Sequence, residues 1–278
     1  MNGNFVPLAG VIGQPIAHSK SPRLHAYWLR KLGLRGHYIP MNVAPDDLKA
    51  VLELLPKVGF QGLNVTVPHK EAVLQLADLV TDRAALIGAA NTLIFRKDGK
   101  IHADNTDGHG FVANLTQHAP SWDPKAGPAA VIGAGGAARA IVSALISAGA
   151  PEVRITNRTK PRAERLKADF GARVLVYDWF QAGNMIEGAL TVVNATVLGM
   201  TGQSELRIPL DGLAREALVT DIVYTPLETR LLAEARAIGC TTVDGSGMLL
   251  HQAVPGFERW FGMRPEVDEE TRAFVLRR

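Results

Sequence analysis

Short apolar runs alternate along the chain with longer segments in which apolar side chains recur at helical spacing. The first run covers residues 9–13 and precedes a helix expected over 22–32, with Ser21 as its N-cap. Similar runs at 37–43 and 62–67 enclose another segment of helical period. This alternation is typical of strands joined by crossover helices, so it predicts an α/β fold with a parallel sheet.

The first series of elements ends in a hairpin followed by a linker. Apolar runs at 92–95 and 100–103 flank Lys97-Asp98-Gly99, and Asp-Gly is a preferred hairpin turn. A polar, proline-containing stretch over 116–128 comes next. A second series then begins, which indicates two domains, as the length of 278 residues also favours.

The second series has the rhythm of a nucleotide-binding sheet of the Rossmann type. Helical segments separate its six expected strands, and residues 248–278 have helical character again. The six strands are expected at residues 129–132, 153–156, 174–177, 191–194, 218–222 and 241–243.

Composition narrows the class of protein. The net charge of +3 is spread along the chain without a basic block, which argues against a nucleic-acid partner. Cys240 is the single cysteine, so an internal disulfide and a thiolate metal cluster are excluded. The histidines lack metal-ligand spacing on a helix, and we predict no metal. Arg139 and a glycine cluster argue against a membrane span at 129–150, and the N-terminus lacks a signal-peptide pattern, so we expect a cytoplasmic protein.

A glycine-rich loop lies where the first strand of the second series meets a helix. This context makes a G-x-G-x-x-A pattern meaningful, because glycines permit a tight turn and close approach of a pyrophosphate to free helix N–H groups. The cofactor-binding residues predicted here are Gly133, Ala134, Gly135, Gly136 and Ala137.

The end of the next strand decides between NAD and NADP. An acidic residue there binds the ribose 2′-hydroxyl of NAD, whereas this chain has Asn157-Arg158-Thr159. Arg158 can pair with a 2′-phosphate through its planar fork, Asn157 and Thr159 can hydrogen-bond to it, and Arg162 can add a second cation. The sequence therefore predicts NADP rather than NAD as the cofactor.

Polar motifs follow the expected strands of the first series. Because loops at the carboxyl ends of parallel strands face one crevice, these motifs are expected to converge. They are His18-Ser19-Lys20-Ser21-Pro22, Asn64-Val65-Thr66-Val67-Pro68-His69-Lys70, Asn91-Thr92 and Asp104-Asn105-Thr106-Asp107-Gly108.

Together with the glycine loop, N-R-T and D-G-x-G-M-L, these motifs resemble the shikimate dehydrogenase family from residue 13 to about residue 252. The resemblance implies reversible NADPH-dependent reduction of 3-dehydroshikimate to shikimate, a step of chorismate and aromatic amino acid biosynthesis. It also implies a substrate domain, a Rossmann domain and a cleft between them. The substrate domain is expected at 1–106 plus 245–278, since the family folds its C-terminal helices back, and the Rossmann domain at 107–244.

The resemblance also implies roles for individual residues. Ser19 and Ser21 would hold the substrate carboxylate, and Lys70 and Asp107 would be the catalytic pair. Ring hydroxyls would be bound by Asn64, Thr66, Asn91 and Gln252, Tyr224 would cover substrate or nicotinamide, and the cofactor would also contact Thr196, Gly245 and Met248.

The chemistry independently favours Lys70 and Asp107 as a pair. Hydride transfer to a carbonyl carbon leaves an alkoxide, and a lysine ammonium supplies both a proton and a positive neighbour. Asp107 can orient that ammonium and restore the proton balance. Each residue alone has an ordinary alternative, a solvated lysine at a helix start and an N-cap aspartate, so the assignment depends on their occurring together.

Two other functions stay open from the sequence. A relative acting on quinate or an aminated shikimate, with NAD accepted as well, would have the same Lys and Asp pair. A non-catalytic regulator that binds nucleotide or shikimate is the alternative of another class. Such a regulator would act on a further partner, whereas the predicted enzyme has a small-molecule substrate as its partner, and a monomer or a homodimer is compatible with the sequence. Val197-Leu198 is bulkier than the family pattern after Asn194-Ala195-Thr196, which bears on cofactor affinity.

Overall fold

The computed structural model describes residues 6–277, which form two compact units. The first unit contains residues 6–106 and 250–277, and the second contains 107–249. Residues 245–249, expected in the first domain, therefore lie in the second unit. The reason is local: Gly245 N donates to Val223 O (3.3 Å), and Met248 packs in the second unit's core.

Strands and helices alternate in both units. The strands of the first unit are β1 (Leu8–Gly13), β2 (His37–Asn42), β3 (Phe60–Val65), β4 (Leu79–Val80), β5 (Thr92–Phe95) and β6 (Ile101–Asp104). Those of the second unit are β7 (Ala129–Ile132), β8 (Val153–Thr156), β9 (Val174–Tyr177), β10 (Thr191–Asn194), β11 (Leu218–Asp221) and β12 (Thr241–Val243).

The helices are α1 (Ser21–Lys31), α2 (Leu48–Leu54), α3 (Ala72–Leu76), α4 (Asp82–Ile87), α5 (Asp107–His118), α6 (Gly136–Ala148), α7 (Lys160–Phe170), α8 (Ala182–Ile186), α9 (Arg230–Ile238), α10 (Ser246–His251), α11 (Val254–Phe261) and α12 (Glu269–Leu276). Short 3₁₀ turns precede α2 and α8 and follow α2.

The sheet of the first unit is mixed rather than wholly parallel. Its order is β2-β1-β3-β5-β6-β4. Strand β1 is parallel to β2 and β3, but the hairpin of β5 and β6 sets β5 antiparallel to both neighbours. The predicted hairpin is confirmed, with Gly99 at φ +81° in its turn. The carboxyl ends of β1 and β3 therefore meet the start of β5 and the end of β6 at one edge of the sheet.

The sheet of the first unit is covered on both faces. Leu48 and Leu52 of α2 pack on one face with Leu63, whereas Trp260 of α11 packs on the other with Ala9 and Val11. Helix α11 comes unusually close, because the Trp260 indole N–H donates to Leu93 O (3.1 Å) across Gly62. A Cβ at Gly62 would lie 2.1 Å from Trp260 Nε1, so only glycine fits this strand position.

The second unit contains the predicted nucleotide-binding sheet. All neighbouring strands pair in parallel in the order β12-β11-β10-β7-β8-β9. Helices α5, α6 and α7 cover one face and α8 and α9 the other. This is the doubly wound arrangement in which strand order reverses beside the first strand, here at β7 and β10.

None of the helices within residues 6–277 is both long and apolar enough to cross a membrane.

Candidate functional site

The two serines expected to bind a carboxylate lie where β1 leads into α1. Ser21 is the first residue of α1 and Lys20 is its N-cap, so the expected cap at Ser21 is wrong by one residue. Ser19 Oγ accepts instead from Ser21 N (3.3 Å), and Leu24 N donates to Lys20 O (3.1 Å). Ser21 is buried and Ser19 is half-buried. Both hydroxyls are thus held at the N-terminal end of an 11-residue helix, where the helix dipole favours an anion.

Asn64 is buried near the end of β3 and its amide is fixed in one orientation. Its Oδ1 accepts from the Tyr38 hydroxyl (2.7 Å), while its Nδ2 donates to Asn91 O (3.1 Å). Tyr38 is buried, and burial raises the pKa of its hydroxyl well above the usual value, so it remains a neutral donor. Because the Tyr38 hydroxyl donates to Oδ1, it fixes the positions of the accepting oxygen and the donating nitrogen of the Asn64 amide.

Asn91 connects three segments of the first unit. Its Nδ2 donates to Gln252 Oε1 (3.1 Å), and its Oδ1 accepts from Thr106 N (2.8 Å). The Thr106 hydroxyl in turn donates to Gln252 O (2.8 Å). Asn91 is only 2% exposed, so losing these partners would leave buried polar atoms unsatisfied. The structure thus brings Asn64, Asn91 and Gln252 into one hydrogen-bonded cluster.

Lys70 lies in the turn between β3 and α3, beside this cluster. Its backbone carbonyl accepts from Ala90 N (2.8 Å), which ties the turn to the residue before Asn91. The side chain of Lys70 is half-buried, as is Thr66 at the start of the same turn. His69 is 1% exposed, and its Nε2 lies 2.9 Å from Val43 O, so this histidine packs within the fold as expected.

Sequence reasoning missed Tyr38 and Thr106 as members of this cluster. Thr106 had a usable signal, because it lies inside the D-N-T-D-G motif directly before Asp107. Tyr38 had none, since an aromatic residue in a strand is ordinary and only the pairing of β2 with β1 brings it near Asn64.

Asp104 anchors the loop that follows β6. Its carboxylate accepts from the Thr81 hydroxyl (2.8 Å), from Arg83 Nε (2.6 Å) and from Asn105 N (2.7 Å). Burial acts to raise the pKa of Asp104, but the hydrogen bonds from Arg83 and Thr81 outweigh it and lower the pKa below its usual value. The loop leading to Asp107 is therefore held by an ionised carboxylate.

Asp107 and Tyr224 belong to the second unit. Asp107 is the first residue of α5 and is 7% exposed. The next residue is Gly108, where α5 packs closely against α6. A Cβ at Gly108 would lie 3.1 Å from both Ala140 O and the Ala144 methyl of α6. Tyr224 is half-buried after β11, and burial raises the pKa of its hydroxyl.

The glycine loop has the form that a pyrophosphate requires. Gly133 has φ +116°, and a Cβ there would lie 2.9 Å from Ala195 O, so its conformation and its packing both need glycine. Gly135 and Gly136 are exposed, and a Cβ at either would meet no protein atom within 4 Å. No side chain caps α6, which begins at Gly136. Open space before uncapped N–H groups fits a phosphate-bearing cofactor.

The start of α7 presents basic side chains beside this loop. Lys160 pairs with Asp178 (2.8 Å), whereas Arg158 and Arg162 are exposed and have no ion pair within residues 6–277. Asn157 Nδ2 donates to Thr159 O (2.8 Å), which shapes the turn. Guanidinium groups without an ion pair suit a 2′-phosphate, because each can bind it through two N–H groups.

The remaining predicted cofactor residues differ in surroundings. Thr196 is half-buried, and its hydroxyl donates to Asn194 Oδ1 (2.7 Å). Gly245 is buried, and a Cβ there would lie 2.3 Å from Ile222 O. Met248 is 9% exposed in the core, so its packing role is larger than sequence reasoning indicated. Val197, whose bulk was noted as unusual, is 56% exposed.

No group of three His, Cys, Asp or Glu side chains in the described part of the chain is placed to hold a metal ion.

Family models match the chain in three parts. Residues 11–93 match the shikimate dehydrogenase substrate binding domain, and residues 117–200 match the shikimate / quinate 5-dehydrogenase model. Residues 245–269 match the shikimate 5′-dehydrogenase C-terminal domain.

Similar proteins cover nearly the whole chain. A protein named shikimate dehydrogenase (NADP(+)) from Cereibacter sphaeroides is 69% identical over 271 residues, which is 98% of this chain and 97% of the relative. The structure is similar to a quinate dehydrogenase from Corynebacterium glutamicum in complex with NAD, with TM-score 0.91, 33% identity and coverage of 98% and 99% of the two chains. It is also similar to a Thermus thermophilus shikimate 5-dehydrogenase in complex with NADP(H) and shikimate, with TM-score 0.86, 36% identity and 98% coverage of both chains.

Proposed function

This chain belongs to the shikimate dehydrogenase family, and we propose that it reduces 3-dehydroshikimate reversibly to shikimate with NADPH. It is an oxidoreductase acting on a CH–OH group, and the reaction serves aromatic amino acid biosynthesis. The observation that carries this proposal in the structure is the buried cluster of Asn64, Asn91 and Gln252 beside the Lys70 turn. Amides in fixed orientations, next to hydroxyl donors and a lysine, suit a polyhydroxylated ring acid.

Each site residue has one proposed role toward the substrate. The hydroxyls of Ser19 and Ser21 bind the carboxylate, and the amides of Asn64, Asn91 and Gln252 with the Thr66 hydroxyl bind the ring hydroxyls. Tyr224 covers the substrate with its ring, whose large apolar face displaces water.

Lys70 and Asp107 are proposed as the catalytic residues. The Lys70 ammonium donates its proton to the oxygen that becomes the shikimate hydroxyl, and its charge stabilises that oxygen as negative charge develops there. Asp107 orients the ammonium, and the Lys70 amine regains a proton from solvent through the Asp107 carboxylate. In the reverse direction the same two groups remove the hydroxyl proton.

NADPH when bound supplies the hydride. The chain's own contribution is to place the pyrophosphate against residues 133–137 and the 2′-phosphate against Arg158, with Asn157, Thr159 and Arg162 around it. Thr196, Gly245 and Met248 are proposed for the rest of the cofactor. The first unit is accordingly the substrate domain and the second the NADP domain.

The remaining proposals concern partners and compartment. Small molecules are the proposed partners, without nucleic acid or membrane, and the chain works as a monomer or a homodimer. A cytoplasmic location is proposed because Cys240 is the single cysteine and a reducing compartment suits such a chain.

The test is turnover of shikimate and quinate by the purified protein, each with NADP and NAD. The highest kcat/KM is expected for shikimate with NADP. The similarity to a quinate dehydrogenase bound to NAD makes quinate with NAD the second candidate, and a higher kcat/KM for that pair would replace the proposed function. Absence of turnover with every pair would favour a non-catalytic regulator.

Arg158→Ala is expected to raise the KM for NADPH about tenfold or more, equivalent to ~1.4 kcal/mol or more of lost binding, because a charge-assisted pair with the 2′-phosphate is removed. The KM for NADH is expected to stay the same, since NADH lacks that phosphate. Arg165→Ala is the matched control, because Arg165 is an exposed arginine within α7, whereas Arg158 lies before that helix, directly after β8. Equal effects of Arg158→Ala on both cofactors would refute the assignment.

A further inference from the structure

Asp221, the last residue of β11, is a buried carboxylate that the reaction described above does not use. It is 0% exposed, and no cation pairs with it in the part of the chain that the structure describes. Its oxygens accept from Asn194 Nδ2 (3.0 and 3.1 Å), from Val223 N (2.9 Å) and from the Thr229 hydroxyl (2.8 Å). Burial raises the pKa of Asp221. Burying a carboxyl group without a cation costs folding free energy. The groups that hydrogen-bond to Asp221 therefore show which part of the structure it holds in place.

Asn194, the last residue of β10, extends this arrangement into the following loop. Its Nδ2 also donates to Leu198 O (3.0 Å), while its Oδ1 accepts from Thr196 N (3.1 Å) and from the Thr196 hydroxyl (2.7 Å). Asn194 is 0% exposed, so these three groups of the loop are fixed by a side chain that cannot turn toward water. The loop after β10 is thereby built around the Asn194 amide.

The loop after β11 is built around Asp221 in the same way. Val223 N and the Thr229 hydroxyl bind its carboxylate at the two ends of the loop that contains Tyr224. Thr229 is also the N-cap of α9, which fixes the far end of the loop. A second link joins the two loops, because Thr201 N donates to Thr225 O (2.8 Å). Asn194, Asp221 and Thr229 are called the Asp221 cluster below.

The sheet order places the Asp221 cluster relative to a bound dinucleotide. In this fold the pyrophosphate lies at the turn after the first strand, and the adenosine ribose lies at the end of the second strand. These positions are Gly133 after β7 and Arg158 after β8. Strands β10 and β11 lie on the other side of β7 from β8. The nicotinamide half must therefore extend over the loops that the Asp221 cluster holds.

We propose that Asp221 is a positioning residue for the nicotinamide half of NADP, acting through Asn194 on the Thr196 loop and through Val223 and Thr229 on the Tyr224 loop. This inference rests on the proposed function for the identity of the cofactor. It assigns to Asp221 no contact with the cofactor. Its consequence is selective: the adenosine half, bound at β7 and β8, does not depend on the cluster.

The test compares two ligands of the same protein by fluorescence or calorimetric titration without turnover. NADPH engages both halves of the site, whereas adenosine 2′,5′-bisphosphate contains only the 2′-phosphate and adenosine half. Asp221→Ala is expected to raise the Kd for NADPH about tenfold or more while changing the Kd for adenosine 2′,5′-bisphosphate by less than about twofold. Unchanged binding of the bisphosphate also demonstrates that the second unit is folded.

Two further variants keep the proposal testable if Asp221→Ala does not fold. Asp221→Asn retains an acceptor for Val223 N but turns an amide donor toward Asn194 Nδ2, which is itself a donor. Thr229→Val removes one donor at nearly constant volume. Both variants are expected to weaken the binding of NADPH but not that of adenosine 2′,5′-bisphosphate. Thr229→Ser is expected to have the wild-type Kd for NADPH because it keeps the hydroxyl. Unchanged NADPH binding in these variants, or equal weakening of both ligands in a folded protein, would overturn the proposal. If the wild type binds NADPH tightly but does not turn over shikimate, the proposed substrate fails and the role of Asp221 is still decided by the titrations.

Discussion

Lys70→Ala is expected to lower kcat for shikimate oxidation by about a hundredfold or more while changing KM much less. The physical reason is that the ammonium acts on the oxygen chiefly as its charge develops, so the interaction strengthens between the bound substrate and the transition state. Steady-state kinetics in both directions with NADP and NADPH measure the effect.

Lys57→Ala is the matched control for charge, because Lys57 is an exposed lysine of the same unit in the 3₁₀ turn before β3. It is expected to retain wild-type kcat. A Lys70→Ala variant with wild-type kcat would remove Lys70 from the chemistry, whereas a large rise in KM at constant kcat would make it a substrate-binding group.

The strands of the second unit could be predicted closely because both faces of a parallel sheet are buried. Strands β7, β8, β9, β10 and β12 have the bounds that the sequence predicted. The fully buried strand β7 is a short apolar run, whereas β12 at the sheet edge was predicted from three β-branched residues, Thr241–Val243. The loop after β7 could be predicted from Gly133, Gly135 and Gly136. In this unit the local pattern and the tertiary environment favour the same structure.

The first unit was less predictable because tertiary contacts decide its strand ends. Strand β3 was expected at 62–67 but spans Phe60–Val65. Val67 has the side chain of a strand residue, yet it is 68% exposed in the turn toward Lys70. Gly62 resembles a strand boundary in sequence, but it lies inside β3 because Trp260 packs directly over it. Strand β4 contains only Leu79–Val80, too short for a period-two pattern to emerge.

Motifs located most of the candidate site, but they did not reveal how its side chains are held. The sequence indicated Asn64, Asn91 and Gln252 without indicating that they share hydrogen bonds through Thr106 and Tyr38. Those bonds join residues up to 161 positions apart, so no local spacing could encode them. For the same reason Asp221 had no signal as an organiser of two loops: its partners become neighbours only through the pairing of β10 with β11.

Gly135→Ala is expected to weaken NADPH binding about tenfold or more and to leave the stability of the protein unchanged. Gly135 has φ −86°, which any residue adopts, and its Cβ would meet no protein atom within 4 Å. The methyl group would instead occupy the space through which the pyrophosphate approaches the N–H groups of α6. NADPH titration and thermal unfolding of the free protein measure the two effects separately.

Gly133→Ala is the contrasting variant, and it is expected to lower stability as well as binding. Its backbone has φ +116°, and the new Cβ would lie 2.9 Å from Ala195 O. A left-handed conformation costs a residue with a Cβ roughly 1–2 kcal/mol even without such a clash. A drop in Tm for Gly133→Ala but not for Gly135→Ala would establish that the first glycine is needed by the fold and the second by the cofactor. If Gly135→Ala bound NADPH as tightly as the wild type, the pyrophosphate would have to lie elsewhere than on this loop.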